Sequence, residues 1–264
     1  MSQVLEPWPE MNHTDRPAFS TPARVLVLQD LQVIAKVVKL TLNHGLYVTR
    51  EAKDVAEARY LVEDWKPHLA ILDMDSGGGQ ILRQLGGSTT SGTRVPALGM
   101  TRRGDLQAKL AAFEQGADDI VAVPFSPEEL LARMLVMTRR TYGDVPLSPV
   151  IKVGELEIDI LRRQVKAGPS DLHLTGLEQS LLYLLAANAP RVVSRNDILD
   201  ALWGIDYVSS SNVVDQHVRN LRAKLQDNGP KPRFIATEPG QGYRFLPILT
   251  TTVLEDSAQL ASVS

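Results

Sequence analysis

The 264-residue chain contains no cysteine, which excludes disulfides, thiolate-bound zinc and cysteine nucleophiles. No apolar run approaches the roughly 18 residues that a membrane helix needs. The opening stretch MSQVLEPWPEMNHTDRPAFSTPA has no apolar segment of the secretory kind, so it is not read as a signal peptide. Strong charge of one sign is missing too: the net charge is −3, which neither advertises nor forbids a polyanionic partner. Nucleotide chemistry lacks its G-x-x-x-x-G-K loop, and no nucleophile–base pair suggests an enzyme. What remains is ordinary globular composition, 44% hydrophobic and 22% charged, long enough for about two domains. A cytoplasmic location, with no membrane contact, is the simplest expectation.

Charge is distributed unevenly. Residues 1–149 carry 16 Lys and Arg against 18 Asp and Glu, whereas residues 150–249 carry 12 against 11. Between Arg24 and Arg140 the hydrophobic period switches repeatedly between strand and helix. RVLVLQD, YVTREA, HLAILD, VPALGMT and DIVAVPF read as strands. The segments between and after them carry helical spacing, and Ser126 with Pro127 marks the start of the last helix. Such alternation predicts a parallel sheet covered on both faces, with its chemistry at the carboxyl ends of the strands. Gln29 and Asp30 stand at the end of the first strand, Asp73 at the third, Thr101 at the fourth and Val123 at the fifth.

These strand ends, LVLQD, LAILD, GMT and GADD followed by PF, resemble the receiver domain of bacterial response regulators over about 120 residues. The resemblance implies an acidic pair that holds Mg²⁺, a phosphoacceptor at Asp73, a threonine contact at Thr101 and a lysine after strand five. This chain departs from that pattern. Gln29 replaces one acid, so Mg²⁺ is left with Asp30 and Asp73 and would be held weakly. Val123 replaces the lysine, and phosphoryl transfer depends on positioned positive charge. Losing one such donor typically costs about 3 kcal/mol of transition-state stabilisation. The site reads as vestigial; a working site of lower efficiency is the alternative, because Asp30, Asp73 and Thr101 remain.

In relatives of the DNA-binding kind, the resemblance also implies a dimer through helix four, strand five and helix five. The matching positions are Lys109, Asp118, Asp119, Glu129, Arg133 and Arg140. The implied pairs are Lys109 with Glu129, Asp119 with Arg133 and Asp118 with Arg140. An ordinary charged surface, whose exposed pairs contribute about 0–1 kcal/mol each, is the plainer reading.

YGDVPLSP (142–149) reads as a linker. Beyond it come strand-like runs, IKVGELEID, RQVKAG and DLHL, then a capping box in TGLE. SRNDILDALWG predicts a second helix from N-cap Ser194 to C-cap Gly204. In NVVDQHVRNLRAKL, Val214, Val218, Leu221 and Leu225 form one narrow apolar stripe. Asn212, Gln216, Arg219, Asn220 and Ala223 lie opposite, flanked by His217, Arg222 and Lys224. Amides suit adenine, Arg suits guanine, and Lys or His suits phosphate, although a solvated helix face is the default for such a pattern. FIATEPGQGYRFLP predicts a hairpin.

The order of these motifs resembles the winged-helix effector domain of the OmpR/PhoB family over about 100 residues. It implies a recognition helix over 212–226, a wing over 234–245 with Thr237 and Arg244 as backbone contacts, and a loop at 203–211 that touches RNA polymerase. Pro239 stands where relatives often carry a minor-groove Arg. Trp203 is read as core, and Trp65 as a cover for the receiver's edge. The fold class expected is α/β: a flavodoxin-like doubly wound (βα)5 receiver at 23–141, then an α+β winged helix at 150–248. Residues 1–22 and 249–264 are read as disordered. The expected partners are double-stranded DNA at direct repeats, RNA polymerase, a second copy of the chain and, for a phosphorylated form, a histidine kinase.

Overall fold

A computed structural model describes residues 22–87, 94–102, 104–143, 150–204, 207 and 212–246. The expected tails (apart from Pro22), linker residues 144–149 and most of the loop at 203–211 lie outside the described residues. The first domain alternates β1 (Ala23–Leu28), α1 (Gln32–Leu42), β2 (Tyr47–Ala52), α2 (Val55–Asp64), β3 (Leu69–Asp73), α3 (Gly78–Gly87), β4 (Ala97–Arg102), α4 (Leu106–Glu114), β5 (Asp119–Val123) and α5 (Pro127–Tyr142). All strand pairs are parallel, in the order β2-β1-β3-β4-β5. That order reverses between β1 and β3, so the crevice forms beyond their carboxyl ends. The register sets Leu28 beside Leu72, Asp73 beside Met100 and Arg102 beside Val123, which brings the five singled-out strand ends to one edge.

The second domain opens with a four-stranded antiparallel sheet, β6 (Val150–Val153), β7 (Leu156–Asp159), β8 (Gln164–Ala167) and β9 (Ser170–Asp171). Three helices follow, α6 (Gly176–Ala187), α7 (Arg195–Trp203) and α8 (Val213–Lys224). A second sheet joins β10 (Val192–Ser194), β12 (Gly242–Phe245) and β11 (Ile235–Glu238) in the order β10-β12-β11. The sequence-read N-caps are formed: Ser126 accepts the Glu129 N–H, and Thr175 with Glu178 and Ser194 with Asp197 make reciprocal side-chain bonds to backbone N–H groups.

Four details differ from the sequence reading. DLHL (171–174) supplies only Asp171 to a strand, β9. IKVGELEID is a hairpin, not one strand, because Gly154 turns the chain with a left-handed φ of 58° and glycine adopts that conformation without a Cβ penalty. β10 was not read at all: three residues ending in a helix cap give no periodicity to detect. Tyr142 belongs to α5, where its hydroxyl donates to the His68 carbonyl at 2.7 Å.

The two domains share one hydrophobic cluster. It forms because α6 is apolar around most of its circumference, with ten of its twelve residues buried, and such a helix needs packing partners on more than one side. One side packs within the second domain, against α7 and α8; another meets α1 and α5. The wholly buried Tyr183 reaches across, its hydroxyl donating to the Thr41 carbonyl at 2.9 Å. Asn188 Nδ2 donates to the Leu40 carbonyl at 2.9 Å, and Lys36 pairs with Asp197 at 2.7 Å. Ser180 bonds to Glu128.

Candidate functional sites: a receiver crevice and a nucleic-acid interface

The crevice at the sheet edge has a volume of 670 Å³, and Gln29, Asp30, Asp73, Thr101 and Val123 all line it. The fold therefore gathers every strand-end residue that the sequence singled out. Their states differ. Gln29 is buried, and its Oε1 accepts from the Leu31 N–H at 3.0 Å. Asp73 accepts the Asp75 N–H at 2.9 Å on Oδ1 and the Ser76 hydroxyl at 3.2 Å on Oδ2. Thr101 is 2% exposed, and its Oγ1 has no hydrogen-bond partner. Val123 is half-buried against the apolar core. Arg102, at the rim, pairs with Asp75 at 3.3 Å. Among the described residues no group of three or more His, Asp or Glu side chains is arranged to hold a metal. With the Gln29 oxygen committed to the backbone, the donor set does not fit a resident Mg²⁺, which favours several hard oxygens in near-octahedral array.

The face formed by α4, β5 and α5 holds the six charged positions, but mostly in pairs within the chain. Arg133 reaches Asp119 at 2.9 Å and Glu129 at 2.8 Å. Asp118 meets Arg94 at 3.3 Å and accepts the Ala97 N–H at 2.8 Å. Neither Lys109 with Glu129 nor Asp118 with Arg140 is paired within the chain. The sequence reading missed an apolar seam beside them. Leu106, Leu110 and Phe113 fall at i, i+4 and i+7 on α4 and are 66%, 54% and 51% exposed.

On α8, the apolar stripe packs inward, with Val214, Val218 and Leu221 buried. Gln216, Arg219 and Asn220 form an exposed row, with Gln216 Nε2 donating to Asn220 Oδ1 at 3.0 Å and Arg219 donating to Gln216 Oε1 at 3.3 Å. Asn212 is the exposed N-cap of the helix. The flanking cations do other work. Arg222 donates to the Ile235 carbonyl at 2.6 Å and to Thr237 Oγ1 at 2.9 Å, tying α8 to the wing. Lys224 pairs at 2.6 Å with Glu178, whose side chain is nearly buried. Burial pushes the Glu178 carboxyl pKa up, but Lys224 and the Thr175 donors outweigh it and hold the pKa below the ordinary value. Arg244 pairs with Glu238 at 2.5 Å across the hairpin. His217 lies against Trp203, ring centres 5.2 Å apart, and Trp203 stacks on Tyr207 at 6.1 Å. A network absent from the sequence reading fixes the start of α8: Asp215 accepts from Arg195 at 2.8 Å and from the Tyr243 hydroxyl at 2.7 Å.

Comparison with known proteins agrees with both domains. Residues 25–135 match the family described as response regulator receiver domain, and residues 169–245 match transcriptional regulatory protein, C terminal. Response regulator MprA of Mycobacterium sp. (strain KMS) is 35% identical over 226 residues, 84% of this chain and 96% of its own length. The chain belongs to the OmpR/PhoB-type response regulators. MprA of Mycobacterium tuberculosis is 34% identical over 224 residues, covering 83% of this chain and 96% of the relative. Among solved structures, the response regulator DrrB, an OmpR/PhoB homologue of Thermotoga maritima, is 29% identical, with a TM-score of 0.39 over 85% of this chain and 99% of DrrB. The DNA-binding domain of Klebsiella pneumoniae RstA, solved with its RstA box, is 35% identical, with a TM-score of 0.36 over 37% of this chain and 97% of that domain. The two matched families and the MprA relatives make this a transcription regulator with a DNA-binding domain, and no helix among its described residues is long and apolar enough to cross a membrane.

Proposed function

We propose that this regulator binds direct-repeat DNA as a dimer, in the cytoplasm, without depending on phosphorylation of Asp73. The observation that carries this reading is Val123. It lines the crevice where a receiver would use a cation, and an isopropyl group cannot stabilise the charge spread over a transferring phosphoryl group. The committed amide of Gln29 supports it further. The protein acts as a regulator and not as an enzyme. Dimerisation runs through α4, β5 and α5, with Leu106, Leu110 and Phe113 as the apolar centre; Lys109 and Arg140 pair with Glu129 and Asp118 of the second copy, in exchange for the contacts those two acids make within the chain. The loop at 203–211, which includes Trp203 and Tyr207, is the segment that contacts RNA polymerase. The reading is tested by DNA occupancy in cells that carry wild type or Asp73→Ala. Peaks that survive the substitution support it; peaks that vanish, with the variant still folded, make Asp73 a working switch served by a histidine kinase. That second reading is favoured by one observation: Asp73 and Thr101 both remain and line one crevice.

Base reading falls to Asn212, Gln216, Arg219 and Asn220, with His217, Arg222, Lys224, Thr237 and Arg244 positioning or supporting the helix and wing. Arg219→Ala should weaken specific binding by about 1–3 kcal/mol, roughly 5- to 150-fold, in a fluorescence-anisotropy titration at fixed salt, with the melting temperature unchanged. Lys224→Ala should do the reverse. It strands the nearly buried Glu178 carboxylate, and the thermal transition should fall while affinity per folded molecule holds.

A further inference from the structure

The receiver and the DNA-binding domain are joined by more than the linker between them. Tyr183 of α6 donates to the Thr41 carbonyl at 2.9 Å, Asn188 donates to the Leu40 carbonyl at 2.9 Å, and Asn43 donates to Asn188 Oδ1 at 3.2 Å. Lys36 of α1 pairs with Asp197 of α7 at 2.7 Å. A Cβ placed on Gly204, the C-cap of α7, would lie 2.9 Å from the Pro124 Cβ, so the segments that follow β5 and α7 are in close contact. Ile34, Val37 and Val123 wall the same narrow cleft as Pro124 and Gly204. Val123 thus stands at the joint between the domains as well as at the crevice. These contacts fix α8 relative to the receiver, and they leave Gln216, Arg219 and Asn220 exposed. A docked chain can therefore present its recognition row to one half-site.

Two docked chains cannot share a direct repeat. Each copy brings Lys109, Glu129, Asp118 and Arg140 to the proposed dimer face, so every pair is made twice and the receivers are related by a two-fold axis. A rigid chain extends that axis to its DNA-binding domains, and recognition helices related by a two-fold read an inverted repeat. A direct repeat requires two helices of the same orientation. We infer that the joint of α1 and α5 with α6 and α7 is a latch: it stays closed on a single half-site and opens in at least one protomer when a dimer occupies a direct repeat. The inference rests on the reading of a receiver dimer at direct-repeat DNA, and it adds a step to that reading. Opening costs whatever the joint contributes to docking. Tyr183, Asn188 and Lys36 therefore set the affinity for the second half-site without touching a base.

The chain has no cysteine, so Lys36→Cys combined with Asp197→Cys places its only thiols on the two sides of the joint. An ethylene-linked bis-methanethiosulfonate bridges them, dithiothreitol releases them, and intact mass verifies each state. Both states carry the same substitutions, so any cost to the cap of α7 cancels. The DNA is an operator selected from random duplexes by the wild-type chain, used intact and with one half-site scrambled. In an anisotropy titration at fixed salt, bridged and released protein should bind the single half-site equally well. On the direct repeat the bridged form should lose about tenfold or more, because the second half-site no longer adds to avidity, and dithiothreitol should restore it. Tyr183→Phe keeps the ring and removes the hydroxyl that reaches Thr41. It should tighten direct-repeat binding about two- to tenfold and leave half-site binding unchanged. Equal binding of the direct repeat by bridged and released protein overturns the inference and leaves the direct-repeat reading standing. Loss of half-site binding on bridging overturns it as well, because the docked form would then cover the DNA-binding face. Selection of an inverted repeat overturns the direct-repeat reading itself, and the latch with it.

Discussion

Gly242→Ala will remove DNA binding by unpairing the wing from the rest of its domain. Gly242 opens β12 opposite Ser194 of β10 and Glu238 of β11. A Cβ built there collides with the Val193 carbonyl oxygen and lies 2.8 Å from the Ser194 Cα. Both are backbone atoms of the strand that leads into α7, so no rotamer change relieves the clash. To admit a methyl group, β10 must part from β12, which breaks their ladder and displaces Tyr243 from the Arg195–Asp215 network. Steric conflict with backbone, together with lost pairing, belongs among the large effects of single substitutions, about 3 kcal/mol or more. In a domain of this size that is a fall of roughly 12 °C or more in its melting temperature, visible by calorimetry, with loss of the anisotropy signal on operator DNA. An unchanged transition with full DNA affinity would mean that β10 and β12 are not paired in this register.

The site and its scaffold were legible to different depths. The strand ends could be read because a parallel sheet delivers its chemistry to one edge, so one periodicity placed Asp30, Asp73, Thr101 and Val123 together before any coordinates. The stripe of Val214, Val218 and Leu221 likewise gave away the inward face of α8, and hence the outward one. Side-chain commitments were not legible. Lys224 and Arg222 have the right chemistry for phosphate, but Glu178 lies 46 residues from Lys224 and the Ile235 carbonyl 13 residues from Arg222, and no local pattern links them. The docking of the domains did leave a signal. LLYLLAA, in α6, is too uniformly apolar for a helix with one wet face, and Tyr183 in its middle needed a polar partner, which Thr41 supplies across 142 residues. Such a partner is found by asking what a buried hydroxyl bonds to, not by periodicity.

The same interface will loosen on mild acidification, because it buries a histidine without a partner. His44 follows α1 with both ring nitrogens shut off from water and unbonded. Its ring lies 5.5 Å from Tyr47 on β2 and 6.2 Å from Tyr183 on α6. Burial pushes its pKa down from 6.5 to about 4, so the docked state holds the imidazole neutral while an opened interface lets it take a proton. The stability that this contributes is complete above pH 6.5 and is lost as pH falls from there towards 4. At pH 5.5 the loss is up to about 1.4 kcal/mol, roughly tenfold in the ratio of docked to open. The other groups at the interface do not imitate this. Tyr47 is pushed up to about 12, and Tyr183 well above its ordinary value, each by burial. Asp200 has the opposite sign: burial and Asp197 raise its pKa, so its protonation favours the docked state. Small-angle scattering or interdomain energy transfer between pH 7.5 and 5.5 should therefore show wild type opening as pH falls. His44→Phe, which keeps the ring and removes the proton site, should stay closed over the same range. If both proteins open alike, the acid response belongs to the carboxylates, and His44 is only a packed ring.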